Sequence, residues 1–301
     1  MSIFNIKRDF SSLEKIFIIA ICLCIGLTFS SLIVSALYFV ISGDIAYKLL
    51  LIMSSILSFG LAAVLAALVL RNNDTTMSHL GFKRTGNGIN PFIRYLLVIA
   101  FMVAILPTIE LISSWNAMYS FPDSLKWLEE IFREAEASST QAVGQALAGE
   151  GIGALILNLI ALALTPAICE EMFFRGILQQ HLVGITKKPV VGILLTALIF
   201  SAIHMELSGL VPRFMLGIAL GYIFYTSGSL WTSITAHFTN NAAVVLVAYF
   251  SEIDVTKTQD ISNFGTPTWI CLIIGGLVVA TLIGIILFGK SARQPLIQEL
   301  E

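Results

Sequence analysis

The sequence has little charge. Only 12% of its 301 residues are Asp, Glu, Lys or Arg, against about 25% in ordinary soluble domains, and a water-soluble fold of this size could not hide the 57% that are hydrophobic. It has no basic stripe, and its formal net charge is −2, so no nucleic-acid partner is expected. It has few cysteines: Cys22, Cys24, Cys169 and Cys271 all lie in apolar runs, without the spacing of a zinc site or a disulfide framework. No Pro/Ser/Gly-rich linker, charge block or low-complexity run divides the chain, which predicts one membrane domain over 1–301. The period-two alternation of a membrane barrel is also missing.

What is there is apolar sequence in long runs. A bilayer core needs about 20 apolar residues in a helix, and such stretches fall near 16–41, 49–70, 95–115, 152–174, 189–205, 208–227, 230–250 and 268–288. These predict an all-α, polytopic integral membrane bundle of about eight helices, because backbone groups in hydrocarbon must be satisfied within the segment. The first run, Ile16 to Ile41, exceeds a signal-peptide core and is expected to stay as an anchor. Lys7, Arg8, Lys15, Arg71, Lys83, Arg84, Arg94, Lys187, Lys188, Lys290 and Arg293 fall on one side of the predicted spans, and only Lys48, Lys126, Arg133 and Lys257 on the other. The positive-inside rule then places both termini in the cytoplasm, and the lack of a targeting peptide favours a bacterial plasma membrane.

Between the third and fourth spans, segment 123–137 reads DSLKWLEEIFREAEA. Leu125, Leu128, Ile131 and Phe132 share one helical face, with Asp123 or Ser124 available as the cap. A helix lying on the outer membrane surface is the expectation, with a substrate lid as the alternative.

Ionisable groups inside a span are functional suspects. They recur on three helices, in TPAICEEMFFRG, LIFSAIH and TAHFTNN. Adjacent glutamates point about 100° apart on a helix, so Glu170 and Glu171 should differ in role. Glu171 and Arg175 are spaced for a helical ion pair, a structural task. Glu170 is left without a local cation, and a carboxylate in a low-dielectric cavity is a stronger base than one in water, which suits activation of a water molecule. GITKKPVVG is the turn of a helical hairpin, and Lys187 lies midway between Glu170 and His204, so acid and histidine should meet at equal depth, about 25 Å from the turn. His237 follows the Ser227–Ser229 turn more closely. It joins them if the hairpin projects beyond that turn, with RGILQQHLVGITKK in the cytoplasm, His181 solvated, and water entering from the same side. His79, in a polar loop, should be solvated too, and Glu206 and Arg213 can pair.

The ordered set EExxxR (Glu170, Glu171, Arg175), FxxxH (Phe200, His204) and HxxxN (His237, Asn241) resembles the CAAX protease and bacteriocin-processing family over roughly residues 150–250. The resemblance implies an eight-helix intramembrane endopeptidase acting on a peptide or lipidated protein. It implies that Glu170 activates water with help from His204, while His237 and Asn241 steady the oxyanion. Glu170, His204 and His237 are also acceptable zinc ligands by type, but the HExxH motif is missing, and the metal-free reading is preferred. A non-catalytic immunity or binding protein on the same scaffold is the first alternative. A transporter using the same groups as a relay is the second, although no repeated halves are found.

Overall fold

A computed structural model describes residues 10–40, 43–70, 76–82, 90–251 and 266–288. Among these the secondary structure is helical: α1 (Ser12–Tyr38), α2 (Asp44–Leu70), α3 (Pro91–Ala117), α4 (Lys126–Leu147), α5 (Gly151–Thr186), α6 (Pro189–Ala202), α7 (Leu210–Ser227), α8 (Leu230–Ser251) and α9 (Thr266–Phe288), with a single helical turn at Thr76–His79. The protein is an all-α polytopic integral membrane protein. Five helices, α1, α2, α3, α5 and α7, are long and apolar enough to cross a membrane. The other expected stretches also form helices. However, α6 has only 14 residues, about 21 Å at the helical rise, and α8 is diluted by its TAHFTNN run. Of the basic residues used to orient the chain, Lys7, Arg8, Arg71, Lys83, Arg84, Lys257, Lys290 and Arg293 lie outside the described residues, as does the side chain of Cys271.

Local sequence sets these boundaries. Ser11 closes a capping box with Glu14 at the start of α1, satisfying two backbone donors the helix itself leaves open. The α5–α6 hairpin turns at Lys187, whose φ of 54° is left-handed, before Pro189 opens α6 at a position where a missing N–H costs nothing. α5 is continuous for 36 residues but contains two π-helical segments, Leu159–Leu164 and Phe174–Gln179. Pro166 lies just after the first. Its ring removes a donor and crowds the preceding turn, and the wider π turn absorbs this.

The two ends of the bundle are tied differently. At the Lys187 end, Gln180 Nε2 donates to the His79 carbonyl and Leu230 N–H to that of Gly81. At the other end, Asn116 of α3 donates to the Leu207 and Ser208 carbonyls, and buried Lys48 of α2 donates to Ala148, just past α4, at 2.6 Å.

Three expectations need correction. The polar stretch that should have projected into water is internal: Arg175, Gln179 and Gln180 are 0%, 1% and 5% exposed. Besides Glu171 for Arg175 and the His79 carbonyl for Gln180, they donate to the backbone carbonyls of Gly217, Gly221 and Gly176. Gly217 and Gly221 are one turn apart on α7; a Cβ at Gly221 would meet Gln179 Oε1 at 2.7 Å, so that glycine permits this approach, while one at Gly217 would meet Ala197 Cβ of α6 at 2.9 Å. Small residues so spaced bring membrane helices together. His79 and His181 are likewise half-buried, their rings 5.7 Å apart. Finally, neither Asp123 nor Ser124 caps α4. A 3-10 turn at Asp123–Leu125 leads in without a side-chain cap, and Glu129 reaches back to accept from Phe121 N–H at 2.8 Å.

Candidate active site

The middle of α5, between its two π segments, carries Glu170 and Glu171. Single π turns recur at functional sites because they rotate the following residues relative to a regular helix. The two carboxylates face different surroundings. Glu171 is wholly buried and fully engaged: Arg175 Nη1 donates to its Oε1 at 2.6 Å and His237 Nδ1 to the same oxygen at 2.9 Å, while Ser233 Oγ donates to Oε2. Arg175, equally buried, also donates to the Gly217 carbonyl and lies 4.9 Å over the ring of Phe200. A buried charge needs such partners, because an unpaired one costs several kcal/mol.

Glu170 has a different environment. Its Oε2 stands 3.9 Å from His204 Nε2 and 3.9 Å from His237 Nε2, beyond direct hydrogen bonding. His204 is on the last turn of chain after α6, His237 is two turns into α8, and Phe200 packs its ring against both imidazoles at 5.0 and 5.8 Å. The sequence pattern placed Phe200 in a motif without giving it a task. Here it spaces the two imidazoles and stacks under Arg175. Ser233 and Gln179 were not singled out by sequence at all, since a buried serine or glutamine on an apolar helix resembles many packing residues.

The outer nitrogens fix the ring tautomers. His204 Nδ1 lies 2.7 Å from the Phe200 carbonyl, which can only accept, so this nitrogen carries the proton. His237 Nδ1 likewise faces the Glu171 carboxylate. In the neutral rings both Nε2 atoms are therefore lone-pair ends aimed at a carboxylate oxygen. Three acceptors converge with no donor among them, so the arrangement calls for a bridging donor or a cation.

A water molecule at about 2.8 Å from each atom accommodates separations near 4 Å. Tetrahedral zinc with bonds of about 2.1 Å holds its ligands about 3.4 Å apart, so each pair would have to draw in by about 0.5 Å. Among the described residues, no group of three or more His, Cys, Asp or Glu side chains has metal-site geometry. The Nδ1 bonds do match the outer support that metal-ligating histidines have, and Glu170, His204 and His237 are the residues that would hold a cation.

Asn241 lies one turn beyond His237 on α8. Asn240 Nδ2 donates to its Oδ1 at 3.2 Å, which leaves Asn241 Nδ2 as its donating end. The structure thus brings Glu170, Glu171, Arg175, His204 and His237 together, with Asn241 half-buried one turn beyond His237.

Access differs from the expectation. Between Glu170 and the Lys187 turn the chain is sealed, with Phe173, Phe174 and Ile177 all at most 1% exposed. The open edge is His204, with 23% of its side chain exposed, at the end of α6 away from Lys187. That edge adjoins loop 203–209 and α4, the opposite end from the expected cytoplasmic entry.

Residues 152–243 match the family model described as type II CAAX prenyl endopeptidase Rce1-like. The resemblance carried by the three motifs is borne out over that segment, and it supports a CAAX-type intramembrane protease scaffold. The uncharacterized protein YpbD of Bacillus subtilis (strain 168) is 31% identical over 109 residues, which are 35% of this chain and 53% of that protein. The chain thus spans about half the length of this curated relative. No solved structure matches.

Proposed function

With an Rce1-like segment as the premise, we propose that this protein is an intramembrane endopeptidase in which Glu170 activates a water molecule against a peptide bond. The observation that carries the reading is the convergence of Glu170 Oε2 with two Nε2 atoms at 3.9 Å each, a spacing that suits water. In the step we envisage, the water oxygen bonds the carbonyl carbon as its proton passes to Glu170. That proton is then delivered to the leaving nitrogen as the C–N bond breaks. His204 orients the water, and His237 with Asn241 stabilises the oxyanion, which preorganised donors do most effectively in a dry cavity. For that task His237 takes up a proton at Nε2 as the oxyanion forms, while its Nδ1 keeps the bond to Glu171. Glu171 and Arg175 hold His237 in place.

The substrate class is a peptide or lipidated protein presented at the bilayer. We further propose a single membrane domain in a bacterial plasma membrane with both termini cytoplasmic, which sets the open edge of the site towards the outer face.

Cleavage of a quenched fluorescent peptide library, with and without a prenyl-like anchor, tests this. Purified wild type and Glu170→Gln are compared after exhaustive chelation. Cleavage by wild type alone that survives chelation is the expected outcome. Loss on chelation with recovery in zinc would instead make Glu170, His204 and His237 metal ligands. Absence of cleavage by folded wild type on every library would move the reading to an immunity or binding role.

A further inference from the structure

His204 is the first polar residue of loop 203–209, whose backbone bonds are short-range. They run from Ile203 N–H to Ile199, His204 N–H to Ser201, Met205 N–H to Ala202, Leu210 N–H to Leu207 and Arg213 N–H to Gly209, at 3.1, 3.4, 3.1, 3.3 and 2.9 Å. Met205 adopts a left-handed φ of 53°, a conformation that costs a non-glycine residue energy and persists only when its surroundings impose it.

Within the α6–α7 hairpin, Ser201 Oγ donates to the Leu210 carbonyl across the loop, and further contacts come from α3 and α4. On α4, Glu136 accepts from the Ser208 hydroxyl and, at 3.4 Å, from Ser208 N–H. One helical turn on, Ser139 Oγ donates to Glu206 Oε1 at 2.6 Å, and Glu206 Oε2 is ion-paired with Arg213 at the start of α7. Asn116 completes the ring from α3. Two of these anchors, Glu136 and Ser139, are side chains of the amphipathic helix itself.

We propose that Glu136 is a positioning residue for His204: α4 fixes loop 203–209 through the Glu136–Ser208 and Ser139–Glu206 contacts, and so sets the distance between His204 Nε2 and Glu170. This rests on the protease reading above. It also gives α4 a task that lying on a membrane surface would not require, since these two side chains point to the loop.

The test is a double-mutant cycle in the full-length protein. Glu136→Ala should lower kcat about tenfold or more with KM changed by less than about twofold. In the His204→Ala background it should cause no further loss, because residues acting through one another are non-additive. Glu136→Gln keeps an acceptor oxygen for Ser208 and should retain most of the rate. Ser139→Ala should give a smaller loss of the same pattern, which keeps the test open if Glu136→Ala folds poorly. Additive losses, or an unchanged kcat, would overturn the proposal while leaving the protease reading standing.

Amide hydrogen exchange supplies an arm independent of activity. In Glu136→Ala, residues 203–209 should exchange faster while α5 and α8 keep wild-type protection; unchanged exchange in the loop would overturn the proposal. If wild type cleaves nothing, the protease reading fails, and this arm alone decides whether α4 holds the loop.

Discussion

Glu170 and Glu171 are neighbours in sequence, yet the helix turns them into two regions with opposite properties. Both oxygens of Glu171 are served, by a guanidinium, an imidazole N–H and a hydroxyl, and these groups are buried. Around Glu170 two imidazole nitrogens stand 3.9 Å from Oε2, and one of those rings lies at an open edge. Burial with full satisfaction builds structure. Burial with a deliberate gap leaves room for a reactant, and the shared residue His237 gives one nitrogen to each side.

The sharpest way to break this comparison is to remove the carboxylate charge on the open side. Glu170→Gln should lower the cleavage rate by about 10³-fold, in the range ascribed to a positioned acid–base group, with an unchanged thermal midpoint in detergent. Arg175→Met probes the closed side. Leaving Glu171 buried without its cation should cost about 3 to 5 kcal/mol, read as a large fall in unfolding midpoint. Gly221→Leu drives a side chain into the space of Gln179 and should cost about 1 to 3 kcal/mol by overpacking, again in stability. Ser233→Ala removes one of three donors to Glu171 and should cost about 1 kcal/mol.

The smallest effect belongs to α4, where a third carboxylate, Glu129, is also buried against its partners. The Arg133 guanidinium, followed by the Phe121 N–H and then by Lys126 and Ser120, holds Glu129 down at about 2 from an ordinary 4.5. Its contribution to α4 is therefore present above about 4.5 and is lost as pH falls towards 2. The protection factor of amides at the start of α4 should fall over that window, and Glu129→Gln should flatten the change.

Much of this was legible in the chain because single physical rules decide it. Long apolar runs must be helices in lipid, and the Lys187–Pro189 turn, midway between Glu170 and His204, puts those residues at one level. The i,i+4 spacing of Glu171 and Arg175 foretold their ion pair. What stayed hidden depends on partners from elsewhere in the chain. RGILQQH reads as a watery projection because its residues are polar; it is internal because Gly217 and Gly221 expose carbonyls to it. The π segments shift register by a single residue, which hydrophobic periodicity is too coarse to register. Loop 203–209 takes its shape from α3 and α4, far away in sequence, so the amphipathic pattern of 123–137 gave no hint that the helix it opens grips the loop next to His204.

The central claim is that Glu170 acts as the base and Glu171 does not. Chemical rescue of cleavage by formate tests it most directly, because a small carboxylate can enter the space left by an alanine and accept the proton in its place. Glu170→Ala should be nearly inactive and regain rate in proportion to added formate, whereas Glu171→Ala should gain nothing. Wild-type cleavage by Glu170→Ala without formate, or rescue confined to Glu171→Ala, would contradict the account.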